Sequence, residues 1–154
     1  MYRFHLYYLI LIYIFLGCNN FPTNEDNSST TSGGEGSSLI SISFGSISNN
    51  SVEIIMNTSH DIAGFQFTIT GITLEAATGG LAEENGLIVS VGVDTGVVIG
   101  FSLSANTIPD GSNGVLTNLE YTNQIEEICI TDVVLSDSDG IALNIDLIGD
   151  CIEY

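Results

Sequence analysis

From Leu39 onward the chain alternates between apolar and polar positions. In LISISFG, Ile40, Ile42 and Phe44 share one parity and Ser41 and Ser43 the other. VEIIM groups Val52, Ile54 and Met56. IAGFQFTIT groups Phe65, Phe67 and Ile69 against Gln66, Thr68 and Thr70. A period of two marks a half-buried strand, because successive Cβ atoms point to opposite faces of a sheet. LIVSVGV, VVIGFSL, GVLTNLEY, EICITDVVL and IALNIDLI continue the pattern, and NNS, TGG, DTG, PDGSNG and SDSDG punctuate it with turn residues. Only LEAATGGLAEENG leaves room for a short helical turn. The pattern predicts an all-β fold, an antiparallel β-sandwich of about nine strands. By the same alternation Phe44, Phe65, Phe67 and Phe101 are expected in its core.

The first residues read differently. Arg3 precedes an apolar run from Phe4 to Leu16, closed by Gly17 and Cys18. That run is shorter than the roughly 20 residues a membrane-spanning helix needs, and fits the ~7–15-residue apolar core of a secretory signal. A cysteine directly after a small residue resembles the bacterial lipobox, in which the cysteine is lipidated and becomes the first residue of the mature chain. Cleavage nearby without lipid and an uncleaved anchor are the alternatives. Asn19 to Ser38 is rich in Ser, Thr, Asn and Gly, a composition with too little to bury to offset its chain entropy. The expected organisation is a signal peptide at 1–17, a flexible linker at 18–38 lipidated on Cys18, and a β-sandwich domain at 39–154. It describes an exported protein held to a membrane by its lipid alone, facing the periplasm or the cell exterior.

Charge narrows the choice of partner. The chain has 19 Asp and Glu against a single Lys or Arg, for a formal net charge of −18. That one cation is Arg3, inside the signal segment, and every acid follows Cys18. Phosphate recognition runs on Lys and Arg, so nucleic acid and anionic headgroups are excluded as partners of the domain. His60 is its one potential positive charge.

Little in the sequence supports catalysis. Ser59, His60 and Asp61 are consecutive, and neighbours on an extended strand point apart, so they do not predict a nucleophile with its base. The adjacent carboxylates Glu83 with Glu84 and Glu126 with Glu127 read as solvated pairs rather than as the two opposed groups of a glycosidase. No enzyme activity and no cofactor are expected. Calcium has one weak foothold: in LSDSDGIALNID, Asp137, Asp139, Gly140 and Asp146 fall at the third, fifth, sixth and twelfth places of a calcium loop, but Leu135 stands first. An Asp-Gly hairpin turn is the competing reading. Cys129 and Cys151 suit a disulfide in an exported chain, with two buried free thiols as the alternative. There is no Trp, and Tyr121 and Tyr154 are the aromatics left for stacking on a sugar.

IAGFQFTIT, at Ile62 to Thr70, resembles a strand of cohesin domains. VVIGFSLSANTIPDGSNGVLTNLEY and DVVLSDSDGIALNIDLIGDC resemble their later strands and closing hairpin, so the likeness spans nearly all of Leu39 to Cys151. It implies a jelly-roll sandwich related to cellulose-binding modules. It also implies a non-catalytic scaffolding role, with binding of dockerin modules in extracellular polysaccharide-degrading assemblies. Gln66, Thr68 and Thr70 then form the partner-facing row. Two features depart from the family pattern. ITGITL stands where Tyr-Asp-Pro is usual, and Gly64 and Gln66 occupy the places of an Asn and an Asp that contact dockerin. The expected partner is therefore a dockerin-like protein module or, alternatively, polysaccharide bound directly by a surface lipoprotein.

Overall fold

The alternation materialises as paired strands. The structure is a computed structural model that describes residues 39–122 and 127–153. The expected signal peptide, the 18–38 linker with Cys18, and the side chains of Glu126 and Tyr154 lie outside the described residues. In chain order the elements are β1 (Ser41–Ser48), β2 (Ser51–Asn57), β3 (Gly64–Thr70), β4 (Thr73–Thr78), α1 (Gly80–Glu84), β5 (Ile88–Val91), β6 (Val97–Phe101), β7 (Asn113–Thr122), β8 (Glu127–Ser136), β9 (Leu147–Ile148) and β10 (Ile152–Glu153). They form two five-stranded sheets, ordered β4-β7-β2-β1-β9 and β10-β8-β3-β6-β5. Every strand pair is antiparallel except the two-residue β1–β9 contact. The fold is an antiparallel jelly-roll sandwich, and the short β9 and β10 are what raise the strand count above about nine.

The core lies between the sheets, where each strand's apolar parity meets its counterpart. Ile42, Val52, Ile54, Met56, Leu74, Leu116 and Leu119 come from one sheet, and Phe65, Phe67, Ile69, Val98, Ile128, Ile130 and Leu135 from the other; all are buried. The Phe65 and Phe67 rings, two residues apart on one face, stack with centroids 5.9 Å apart. Phe44 is half-buried against this cluster.

Phe101 corrects the expectation that it belongs to the core. It is exposed, because the inward position of β6 next to it is Gly100. Gly100 pairs directly with Phe65, and a Cβ there would lie 2.1 Å from the Phe65 ring. A glycine in a strand commonly marks such a close approach. Phe65 fills the space Gly100 leaves, and Phe101 takes the outward parity.

A second shift of parity occurs in β8. Gln66 of β3 pairs with Val134 and Thr68 with Thr131, so Asp132 and Val133 together oppose Phe67. This is a β-bulge, and Asp132 carries its positive φ of 51°. Aspartate tolerates that conformation better than most residues. The extra residue turns Val134 outward and Leu135 into the core.

Candidate functional site

β3 sits at the centre of its sheet, flanked by β6 and β8. With Phe65, Phe67 and Ile69 buried, its other side chains face away from the core: Gln66 and Thr70 are exposed and Thr68 is half-buried. Directly paired residues of antiparallel strands point to the same face, so the register gives the composition of that outer surface. One row runs Ser90, Ile99, Gln66, Val134 across β5, β6, β3 and β8. The next runs Ile88, Phe101, Gly64, Ser136, and a third Val97, Thr68, Thr131. Ile88 is 45% exposed, Phe101 40% and Val134 36%. The face is thus an apolar field around one amide, Gln66, which can both donate and accept hydrogen bonds. Gly64 adds no side chain; Ser136 Oγ donates to its carbonyl at 3.4 Å.

The face continues into the loop after β6. Ser102 Oγ accepts hydrogen bonds from the N–H groups of Ser104 (3.1 Å) and Asn106 (2.9 Å), gathering the loop around Ala105, which holds a φ of 56°. Leu103 projects from it, 79% exposed. It borders an open cleft of about 330 Å³ shared with Ala63, Ala105, Asn106 and Ser138. The exposed acids Asp94, in the β5–β6 turn, and Asp132, on the bulge, lie on the flanking elements. Thr131 Oγ1 donates to Asp132 Oδ2 at 3.3 Å.

Among the described residues, His60, Asp61, Glu83 and Asp137 are each engaged in local turns or tethers rather than with one another. His60 is exposed in a turn where Thr58 Oγ1 donates to its carbonyl (2.7 Å) and accepts from its N–H (3.1 Å). Its Nδ1 lies 3.1 Å from Ser59 Oγ. Asp61, however, turns its carboxylate to the Asp110 N–H at 2.8 Å, so the three residues act as turn and tether. Glu83 Oε2 accepts the Gly79 N–H at the start of α1 (2.6 Å). Asp137 Oδ1 accepts from the N–H groups of Asp139 (3.0 Å) and Ile141 (2.9 Å), closing a turn that Gly140 completes at φ 78°.

Tyr121 is a correction. Expected as a stacking residue, it is 2% exposed. Its hydroxyl donates to the Ser48 carbonyl at 3.0 Å, and its N–H bonds the Asn50 carbonyl at 3.0 Å. It shares the inward parity of Leu119 on β7 and ties that strand to the β1–β2 turn. The alternation of Leu119 and Tyr121 was the sequence signal for this.

Cys129 and Cys151 are joined, with Cα atoms 4.4 Å apart, and staple the segment entering β10 to β8. Potential ligand atoms of Glu127, Cys129 and Cys151 lie within 4.8 Å of one another. The bridged sulfurs have no thiolate to offer a metal.

No family model matches the chain, and no curated protein does. Solved structures do match. A chain of the CaDoc0917–CaCohA2 complex superposes with a TM-score of 0.54 at 13% identity, over 73% of this chain and 96% of that one. The non-cellulosomal cohesin of the hyperthermophilic archaeon Archaeoglobus fulgidus gives 0.51 at 15% identity, over 72% and 88%. The sixth cohesin of Acetivibrio cellulolyticus scaffoldin B, solved with a Cel5 dockerin mutant, gives 0.53 at 14% identity, over 75% and 98%. At these identities the likeness establishes the fold: the domain is a cohesin-like β-sandwich.

Ile88, Ile99, Phe101 and Val134 are the site residues that the sequence did not single out. Gly100 hid Phe101, because a glycine in an inward position reads as polar beside an aromatic, and the β8 bulge hid Val134 by shifting the parity from which faces are read.

Proposed function

We propose that the domain is a non-catalytic protein-binding module that engages its partner through the outer face of the β8-β3-β6-β5 strands. The observation that carries the reading is the in-register row Ser90–Ile99–Gln66–Val134, extended by exposed Ile88 and Phe101. Contiguous apolar surface around a hydrogen-bonding centre is the composition of an interface core. Two of the matching structures are complexes that contain a Doc or dockerin component, which supports a dockerin-like partner. Gly64 and Gln66 supply no charge of their own, so that partner is recognised by apolar contact and neutral hydrogen bonds. Around them every charge is acidic, and the partner's rim carries Lys or Arg.

The same proposal places the module outside the cytoplasm on a lipid at Cys18, in an assembly that handles polysaccharide. Its support is the short apolar leader, the polar linker and the cohesin resemblance. Mass spectrometry of the mature amino terminus checks the anchor: an acylated Cys18 is expected, abolished by Cys18→Ala. An unmodified terminus beginning beyond Cys18 would refute it.

The binding face is tested with purified dockerin modules and with the source cell's secreted proteins. Val134→Asp and Gln66→Lys are expected to weaken the affinity of whatever binds at least tenfold. Their melting temperatures should stay close to wild type, because exposed substitutions typically change stability by less than ~0.5 kcal/mol. Association should also slow as salt rises. Unchanged affinity in both variants would place the interface on another surface.

A further inference from the structure

The sequence contains three Asn-x-Ser acceptor triplets: Asn27-Ser28-Ser29, Asn49-Asn50-Ser51 and Asn57-Thr58-Ser59. Such a triplet is used when the amide nitrogen is presented on an exposed segment and the hydroxyl two residues on is free to be read. The first lies outside the described residues, and the structure separates the other two sharply.

Asn57 is half-buried at the end of β2. Its Nδ2 donates to the Leu39 carbonyl at 3.4 Å, and Thr58 beside it is 1% exposed. Its hydroxyl partner is also engaged, with Ser59 Oγ 3.1 Å from His60 Nδ1. Asn49 is the opposite case. It sits exposed in the tight turn between β1 and β2. Neither its side-chain amide nor the Ser51 hydroxyl makes a hydrogen bond among the described residues; Ser51 is held through its carbonyl, which accepts from Ser48 Oγ at 3.3 Å. The turn backbone is secured independently by Tyr121, through Ser48 and Asn50. The acceptor is thus presented on a fixed support with both recognition atoms free.

We infer that Asn49 is an N-glycosylation site. The donor would be a glycan linked through phosphate to a membrane lipid. In the transfer, Asn49 Nδ2 bonds to the anomeric carbon, the anomeric carbon–phosphate oxygen bond breaks, and one amide proton leaves to a base of the transferase. The inference rests on export, where such transferases act. A glycan here would stand on the β4-β7-β2-β1-β9 sheet and leave the proposed binding face clear. It would also stand at the far end of β1, which among the described residues β9 pairs only at Ser41 and Ile42.

The test is glycopeptide mass spectrometry on the full chain from its native source. The peptide holding Asn49 should carry sugar mass, lost in Asn49→Gln and in Ser51→Ala and retained in Asn57→Gln. The amino-terminal peptide of the same sample reports processing. Bare Asn49 on a chain that fractionates outside the cytoplasm overturns the inference alone, and bare Asn49 on a chain that fractionates with the cytoplasm overturns it together with export. Sugar on Asn57 with none on Asn49 would also overturn it.

Discussion

Replacing Cys129 with serine is expected to lower the unfolding free energy by about 2–5 kcal/mol, among the largest single effects in this domain. The bridge spans 22 residues, and closing a loop of that length in the unfolded chain corresponds to about 3 kcal/mol in the chain-entropy account. The structure adds a local reason. β10 has only two residues, Ile152 and Glu153, and their partners are Ile128 and Glu127. Glu153 therefore stands directly opposite Glu127, a like-charge pair that opposes strand pairing. The sequence places no Lys or Arg beyond Arg3 to neutralise it. A strand so short and so charged is held by its covalent staple. Denaturant melts of wild type and Cys129→Ser measure the global loss, and amide exchange at Ile152 and Glu153 reads the release of β10. Wild-type stability in the variant, or two alkylatable thiols in the unreduced protein, would refute the account.

Gly100→Val should cost about 3 kcal/mol, at the upper end of overpacking effects. The first atom of any side chain there would lie 2.1 Å from the Phe65 ring. The ring is 4% exposed and stacked on Phe67, so it has little room to swing aside. The clash is specific to one pair, which permits a decisive control. Phe65→Leu combined with Gly100→Val should be less destabilised than the sum of the two single changes, because the neighbours share one space. Thermal or urea unfolding of the four proteins gives the coupling. Strict additivity would mean that Gly100 is needed for some reason other than the ring.

The strands and their faces were legible wherever the alternation runs unbroken. Val52, Ile54 and Met56 on β2 and Phe65, Phe67 and Ile69 on β3 are buried as their parity dictates, since the pleat alone fixes which side chains share a side. The acidic composition likewise needed no structure: every Asp and Glu follows Cys18, and no Lys or Arg does. Other features depended on residues distant in sequence. Gly100 looks like any small residue until Phe65 is laid across it, and only then does Phe101 turn outward. The β8 bulge exists only against β3, where Asp132 and Val133 share one partner, and it decides that Val134 meets solvent while Leu135 does not. Tyr121 became structural once the β1–β2 turn came within reach of its hydroxyl. Gln66 could be placed on an outer face from sequence, but Ile99 and Val134 became its neighbours only through register. Periodicity is a property of one strand. Register, bulges and close approaches belong to pairs of strands, so the chain by itself determined which residues could face outward and the tertiary structure decided which of them form one surface.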